Sequence, residues 1–201
     1  MMIYLLKAGV NMKKRSVLWL TQTAIGIALV LIAQLISKVI PALAVIAGPF
    51  NVSQLITGTL VNTILIIFTV IVGVRSGVTI GMLSSVLATL LGIGPIFPII
   101  TPFIAIGNAL LVITYYLFHK KQHRPYFYIA IVVAAAIKCA FLWCTVPFAL
   151  NYVPDIQPIQ RTMLSLMFSW PQGITALCGG LISAVIYPLL SHALNKHSAQ
   201  N

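Results

Sequence analysis

Acidic side chains are nearly missing from this chain: among 201 residues there is one, Asp155. General acid–base chemistry needs titrating groups gathered at one depth, so this absence removes most enzymatic repertoires and no catalytic residue is expected. It also leaves the apolar segments without the carboxylate that proton- or sodium-coupled carriers usually hold there. Charge of either sign is scarce, at 6% of residues against 60% hydrophobic. That is too little polar surface to cover a water-soluble globule. There is no GxxxxGK[ST] phosphate loop, so the chain is not expected to hydrolyse ATP by itself. Cys139, Cys144 and Cys178 lie inside apolar runs with neither metal-ligand spacing nor a disulfide framework. The four histidines, His119, His123, His192 and His197, fall at the ends of such runs. Neither a metal nor a cofactor is expected.

What the chain has in abundance is long apolar runs, and a run of about 18 or more residues crosses a ~30 Å hydrocarbon core as a helix. Backbone polar groups in lipid must be satisfied within the segment, so an all-α integral membrane bundle follows. Six transmembrane helices are predicted, at about 17–37, 54–74, 76–92, 99–118, 127–148 and 162–190, in a single transmembrane domain covering 1–201. The third is short and rich in Gly and Ser. The sixth is too long for one straight span, and Trp170-Pro171-Gln172-Gly173 is expected to bend it. The first has a basic start but a longer apolar stretch than a signal-peptide core, and is read as a retained span.

The net charge of +11 does not call for a nucleic-acid partner, because the cations sit at span ends. Lys7, Lys13, Lys14, Arg15, Arg75, Lys120, Lys121, Arg124 and Lys196 all fall on one side of a six-span topology, and only Lys38 and Arg161 lie near the other. The positive-inside rule then places both termini in the cytoplasm.

One cation remains, Lys138, about ten residues from either end of the fifth span. A lysine at that depth costs roughly 2.5–3.5 kcal/mol on insertion scales and should face the bundle interior. It could donate to neighbouring amides and tighten the bundle, or pair with an accepting group on a ligand; with no acid in the spans, the ligand role is favoured. Asn108 lies near mid-depth on span four, sharing a face with Thr101 and Tyr115 at intervals of seven. Asn62 on span two, Trp143 on span five, and Trp170 and Gln172 at the outer end of span six complete the candidate substrate-binding set. Each amide is either a helix clamp or a pocket wall. The tryptophans are interfacial anchors or stacking plates.

Ala24 and Ala28, four apart on span one, form a shallow groove that admits a close helix. Gly73, Gly77 and Gly81 make a second small-residue stripe, expected to pack spans two and three. Six short spans, a basic start, Thr23-Ala24-Ile25-Gly26-Ile27-Ala28, Gly48-Pro49-Phe50-Asn51, Leu91-Gly92-Ile93-Gly94-Pro95-Ile96-Phe97-Pro98 and Pro102-Phe103-Ile104-Ala105-Ile106-Gly107-Asn108 resemble the substrate-binding S component of an energy-coupling factor (ECF) transporter. The resemblance implies a bacterial plasma membrane protein. It implies docking of Ala24 and Ala28 on a transmembrane coupling subunit, and uptake driven by that subunit with two ATPase subunits. It also implies an outward pocket closed by outer loops, with Ala42–Phe50 as one lid, and toppling of the loaded protein in the lipid bilayer to release its cargo inward. The cargo class is a small water-soluble vitamin or precursor. The midplane cation disfavours thiamine and makes pantothenate the first choice, with hydroxymethylpyrimidine, cobalamin and folate as others. The rivals are a stand-alone permease, betrayed by uptake without ATPases, and a non-transport packing or sensor protein, betrayed by retention of neither small molecule nor coupling module.

Overall fold

A computed structural model describes residues 2–39, 46–47, 50–119 and 124–198. Seven α-helices carry nearly all of it: α1 Met2–Val39, α2 Val52–Ile71, α3 Val74–Leu90, α4 Thr101–His119, α5 Arg124–Leu150, α6 Pro158–Met167 and α7 Trp170–Ser198. The other regular pieces are a 3₁₀ turn at Pro98–Ile100 and a two-residue antiparallel pair, β1 Ile46–Ala47 with β2 Phe50–Asn51. Most of the expected lid Ala42–Phe50 lies outside the described residues, as do Lys120, Lys121 and His123.

Among the described residues, five segments are long and apolar enough to cross a membrane: Arg15–Ile36, Val52–Ile71, Pro98–His119, Tyr126–Leu150 and Pro158–Leu190. The 17-residue α3 falls short; at 1.5 Å per residue it spans roughly 25 Å. The solvent preference of the bundle is inverted relative to a soluble protein. Leu90, Val185 and Leu189 are 76%, 68% and 69% exposed, while Asn62, Ser76, Ser84, Asn108 and Lys138 are buried. An apolar exterior around a polar midplane is what a lipid solvent selects. The protein is therefore a multi-pass membrane protein.

Side-chain pairings fix the topology. Residues 69, 65 of α2 meet 77, 81 of α3, and residues 112, 108 of α4 meet the same two glycines, so α3 runs antiparallel to both neighbours. Gly107 of α4 meets Leu142 of α5, Gly173 and Gly180 of α7 meet Cys139 and Ile131, and Gly58 and Thr63 of α2 meet Thr175 and Gly179. Thus α7 runs antiparallel to α5 and parallel to α2. The hydroxyls of Thr23 and Ser76, 2.9 Å apart, together with Gly26 against Ile80, set α1 parallel to α3. The α2–α3 turn needs Gly73, whose φ of 117° is open to glycine at little cost. The small-residue stripe thus has two roles. Gly73 makes the turn, whereas Gly77 and Gly81 seat α3 against both α2 and α4 rather than α2 alone.

The expected bend at Trp170–Gly173 is instead a full break just before it. Helix α6 ends at Met167, Phe168 and Ser169 are non-helical, and α7 begins at Trp170. Pro171 is the cause: it lacks the N–H that would bond the Met167 carbonyl four residues back, and proline suits a helix's first turn. The freed carbonyl is taken by side chains, at 2.9 Å from Gln54 Nε2 of α2 and 3.4 Å from Gln172 Nε2.

Two apolar clusters lie on either side of the polar layer. One, including Leu65, Ile80, Leu111 and Ala134, fills the half towards the α2–α3 turn. The other, including Ile100, Val146, Leu164 and Phe168, fills the half beneath α6.

Candidate functional site

Between these clusters Lys138 stands at mid-helix in α5, 3% exposed. Its Nζ donates to Asn62 Oδ1 of α2 and to Asn108 Oδ1 of α4, each at 2.7 Å. Those are short, charge-assisted bonds. Both amide nitrogens find acceptors elsewhere, which fits oxygens turned to the ammonium. Asn108 Nδ2 donates to the Gly81 carbonyl at 3.3 Å and to Ser85 Oγ at 3.2 Å, and Ser85 in turn donates to the Gly81 carbonyl at 2.8 Å. Asn62 Nδ2 donates to Thr175 Oγ1 of α7 at 3.4 Å, and Thr175 donates to the Gln172 carbonyl at 3.1 Å. Lys138 thereby joins α2, α3, α4, α5 and α7 at one depth.

Small residues make this approach possible. A Cβ on Gly179 would stand 2.7 Å from Asn62 Cβ and 2.8 Å from the Thr59 carbonyl; one on Gly81 would stand 3.0 Å from Asn108 Cβ. Glycine thus lets α7 close on Asn62, where a Cβ would force a shift, and eases the tight approach of α3 to Asn108.

The electrostatics are lopsided. Two of the three ammonium N–H bonds are used within the described residues, both on neutral amides. The chain's single carboxylate, Asp155, lies in the α5–α6 connection at the far end of the bundle. Among the described residues no anion balances the charge, which distinguishes the cluster from a buried salt bridge. Chemically it can donate to an anion or a strong acceptor, and it offers neither nucleophile–base pair nor metal-ligand set.

Of the sequence-predicted residues, Lys138, Asn62 and Asn108 come together. Gln172 is buried above them but is turned to the Met167 carbonyl. Trp143 is 56% exposed, and Trp170, at the start of α7, is 36% exposed. Five residues from Lys138, Trp143 lies roughly 140° round the helix, on the lipid side. Thr101 and Tyr115 share the buried face of Asn108, Thr101 paired with Thr89 at 2.6 Å. Ala24 and Ala28 are exposed on α1. Sequence reasoning missed Ser85, Thr175 and Gln54, since short hydroxyls abound in these helices and the glutamine's partner is a backbone carbonyl 113 residues away.

With the geometry in place, comparison with known proteins gives one finding: a family model described as ECF transporter, substrate-specific component, matches residues 18–191. Neither a curated protein nor a solved structure matches the chain.

Proposed function

The chain belongs to the substrate-specific components of ECF transporters, and from that membership we propose that it captures a small water-soluble vitamin or precursor for ATP-driven uptake. It is a substrate-binding membrane subunit. In our reading it delivers cargo with a transmembrane coupling subunit and two ATPase subunits, and sits in a bacterial plasma membrane with both termini in the cytoplasm. All six long elements then cross, including the short α3.

We place the base of the substrate site at Lys138, Asn62 and Asn108, with Gln172 and Trp170 towards the opening. The observation that supports it is the cation held by two neutral amides with no protein anion. A donor of that kind suits a carboxylate or a polar neutral group and repels a cation. Pantothenate fits best; hydroxymethylpyrimidine, cobalamin and folate are alternatives, and thiamine is disfavoured. Ala24 and Ala28, both exposed, are available for docking to the coupling subunit.

A second reading draws on the same bonds. The two 2.7 Å bonds would equally serve a clamp that only holds helices together. Native mass spectrometry of the gently purified protein, with extraction of retained small molecules, tests the binding reading. A bound vitamin-like molecule whose affinity falls at least tenfold in Lys138→Met supports it; unchanged affinity assigns Lys138 to the clamp.

A further inference from the structure

At the opposite end from Asp155, an open groove of about 480 Å³ runs between α1, α3 and α4, lined by Trp19, Val74, Arg75, Val78, Thr79 and Ile113. We propose that this groove binds an anionic phospholipid, with its phosphate on Arg75 and its acyl chain along Val78 and Ile113.

The register comes first. The Thr23–Ser76 hydrogen bond fixes α1 against α3, so Trp19, one turn before Thr23, stands beside Arg75, the residue preceding Ser76. Arg15 lies one turn further along the same face of α1 and is exposed. Arg75 therefore stands at one end of a groove whose other lining residues, Thr79 apart, are apolar, and Arg15 lies one turn beyond Trp19 on α1.

Charge then selects the occupant. Arg75 is exposed, and the only acid in the chain is across the bundle. The Thr79 hydroxyl is committed to the Arg75 carbonyl at 2.8 Å. A ligand here must bring its own anion at the membrane surface and an apolar body that enters the bilayer. A phosphodiester lipid has both, and arginine matches its oxygens in a fork. A tryptophan at this level suits the headgroup boundary.

Geometry separates this groove from the expected protein-docking face. Ala24 and Ala28 lie roughly 140° and 180° round α1 from Trp19. A coupling helix on the alanines leaves the groove to lipid. The inference stands whether or not Lys138 touches cargo.

The test uses the full chain with Trp143→Phe and Trp170→Phe, which leaves Trp19 as the sole tryptophan of the three. It is reconstituted in phosphatidylcholine vesicles doped with brominated phosphatidylglycerol or brominated phosphatidylcholine. Trp19 fluorescence should be half-quenched at a several-fold lower mole fraction of the anionic lipid. Arg75→Gln should reduce that preference about fivefold, while Arg161→Gln at the far end should not. Equal quenching by both lipids, or a preference that survives Arg75→Gln together with Arg15→Gln, overturns the proposal. So does loss of quenching when the coupling subunit assembles, which would give the groove to protein. Native mass spectrometry of the unsubstituted chain from a phosphatidylglycerol–phosphatidylethanolamine mixture reads the same point without mutation: selective retention of phosphatidylglycerol supports it, and equal retention refutes it.

Discussion

Replacing Lys138 with Met should destabilise the bundle less than replacing either asparagine beside it. The methionine nearly matches the lysine stem, so packing is kept and two hydrogen bonds of 2.7 Å are lost. Hydrogen bonds between membrane helices average ~0.6 and reach ~1.7 kcal/mol, so the loss is ~1–3 kcal/mol. Against it stands the relief of removing a midplane cation, ~2.5–3.5 kcal/mol on insertion scales. The two terms offset to within ~1–2 kcal/mol. Asn108→Leu has no such offset: it loses one of those bonds, ~0.6–1.7 kcal/mol on the same scale, and leaves the ammonium buried with one acceptor fewer. It also takes the amide-nitrogen donor from Ser85 Oγ and the Gly81 carbonyl, which keep only their bond to each other at 2.8 Å among these side-chain contacts. The double variant Lys138→Met/Asn108→Leu removes donor and acceptor together and should recover most of that loss. Reversible SDS unfolding in bicelles, followed by circular dichroism, ranks the four proteins. If Lys138→Met is the least stable single variant, and the double variant is no better than Asn108→Leu, the argument from an unbalanced cation is wrong.

Other perturbations probe separate parts. Ala24→Leu or Ala28→Leu should change the stability of the isolated protein by no more than ~0.5 kcal/mol, since both sites are exposed, yet abolish co-purification with the coupling subunit; a complex that survives moves the docking face elsewhere. Gly179→Ala should cost ~1–3 kcal/mol in the same bicelle assay, because its Cβ would press on Asn62 and the Thr59 carbonyl; a neutral result would mean that α2 and α7 are less closely seated. Gln54→Leu should leave the Met167 carbonyl without its 2.9 Å donor, at ~1–2 kcal/mol, and speed amide hydrogen exchange across Phe168–Trp170; unchanged exchange would show the break to be held by Gln172 alone.

How far the sequence carried differs by feature. Depth came from apolar length, which sets where a residue sits between span ends and put Lys138 and Asn108 near mid-span; that Asn62 meets them is seen only in the fold. Direction around the helix was legible where spacing was used, as for Thr101, Asn108 and Tyr115 at intervals of seven. Spacing was not used for Trp143, read from depth as anchor or stacking plate; its offset of five from Lys138 turns it outward. The proline at 171 signalled a disturbance, and the missing bond to residue 167 could have placed it before Trp170. What no local rule held was the choice of long-range partners. Gln54 reaches Met167, and Thr175 reaches Asn62, across 113 residues each, and those meetings exist only once α2 and α7 lie parallel.

The hydrogen-bonded layer at Lys138 also bears on motion. A one-residue slide of any helix through it shifts its side chains by 1.5 Å along the axis, more than a 2.7 Å hydrogen bond tolerates. Five helices are thus pinned together at mid-height. Any displacement of one of the five would carry the others with it, and the layer leaves relative movement to the parts outside the pin: α1, which it does not include, and α6 beyond its break.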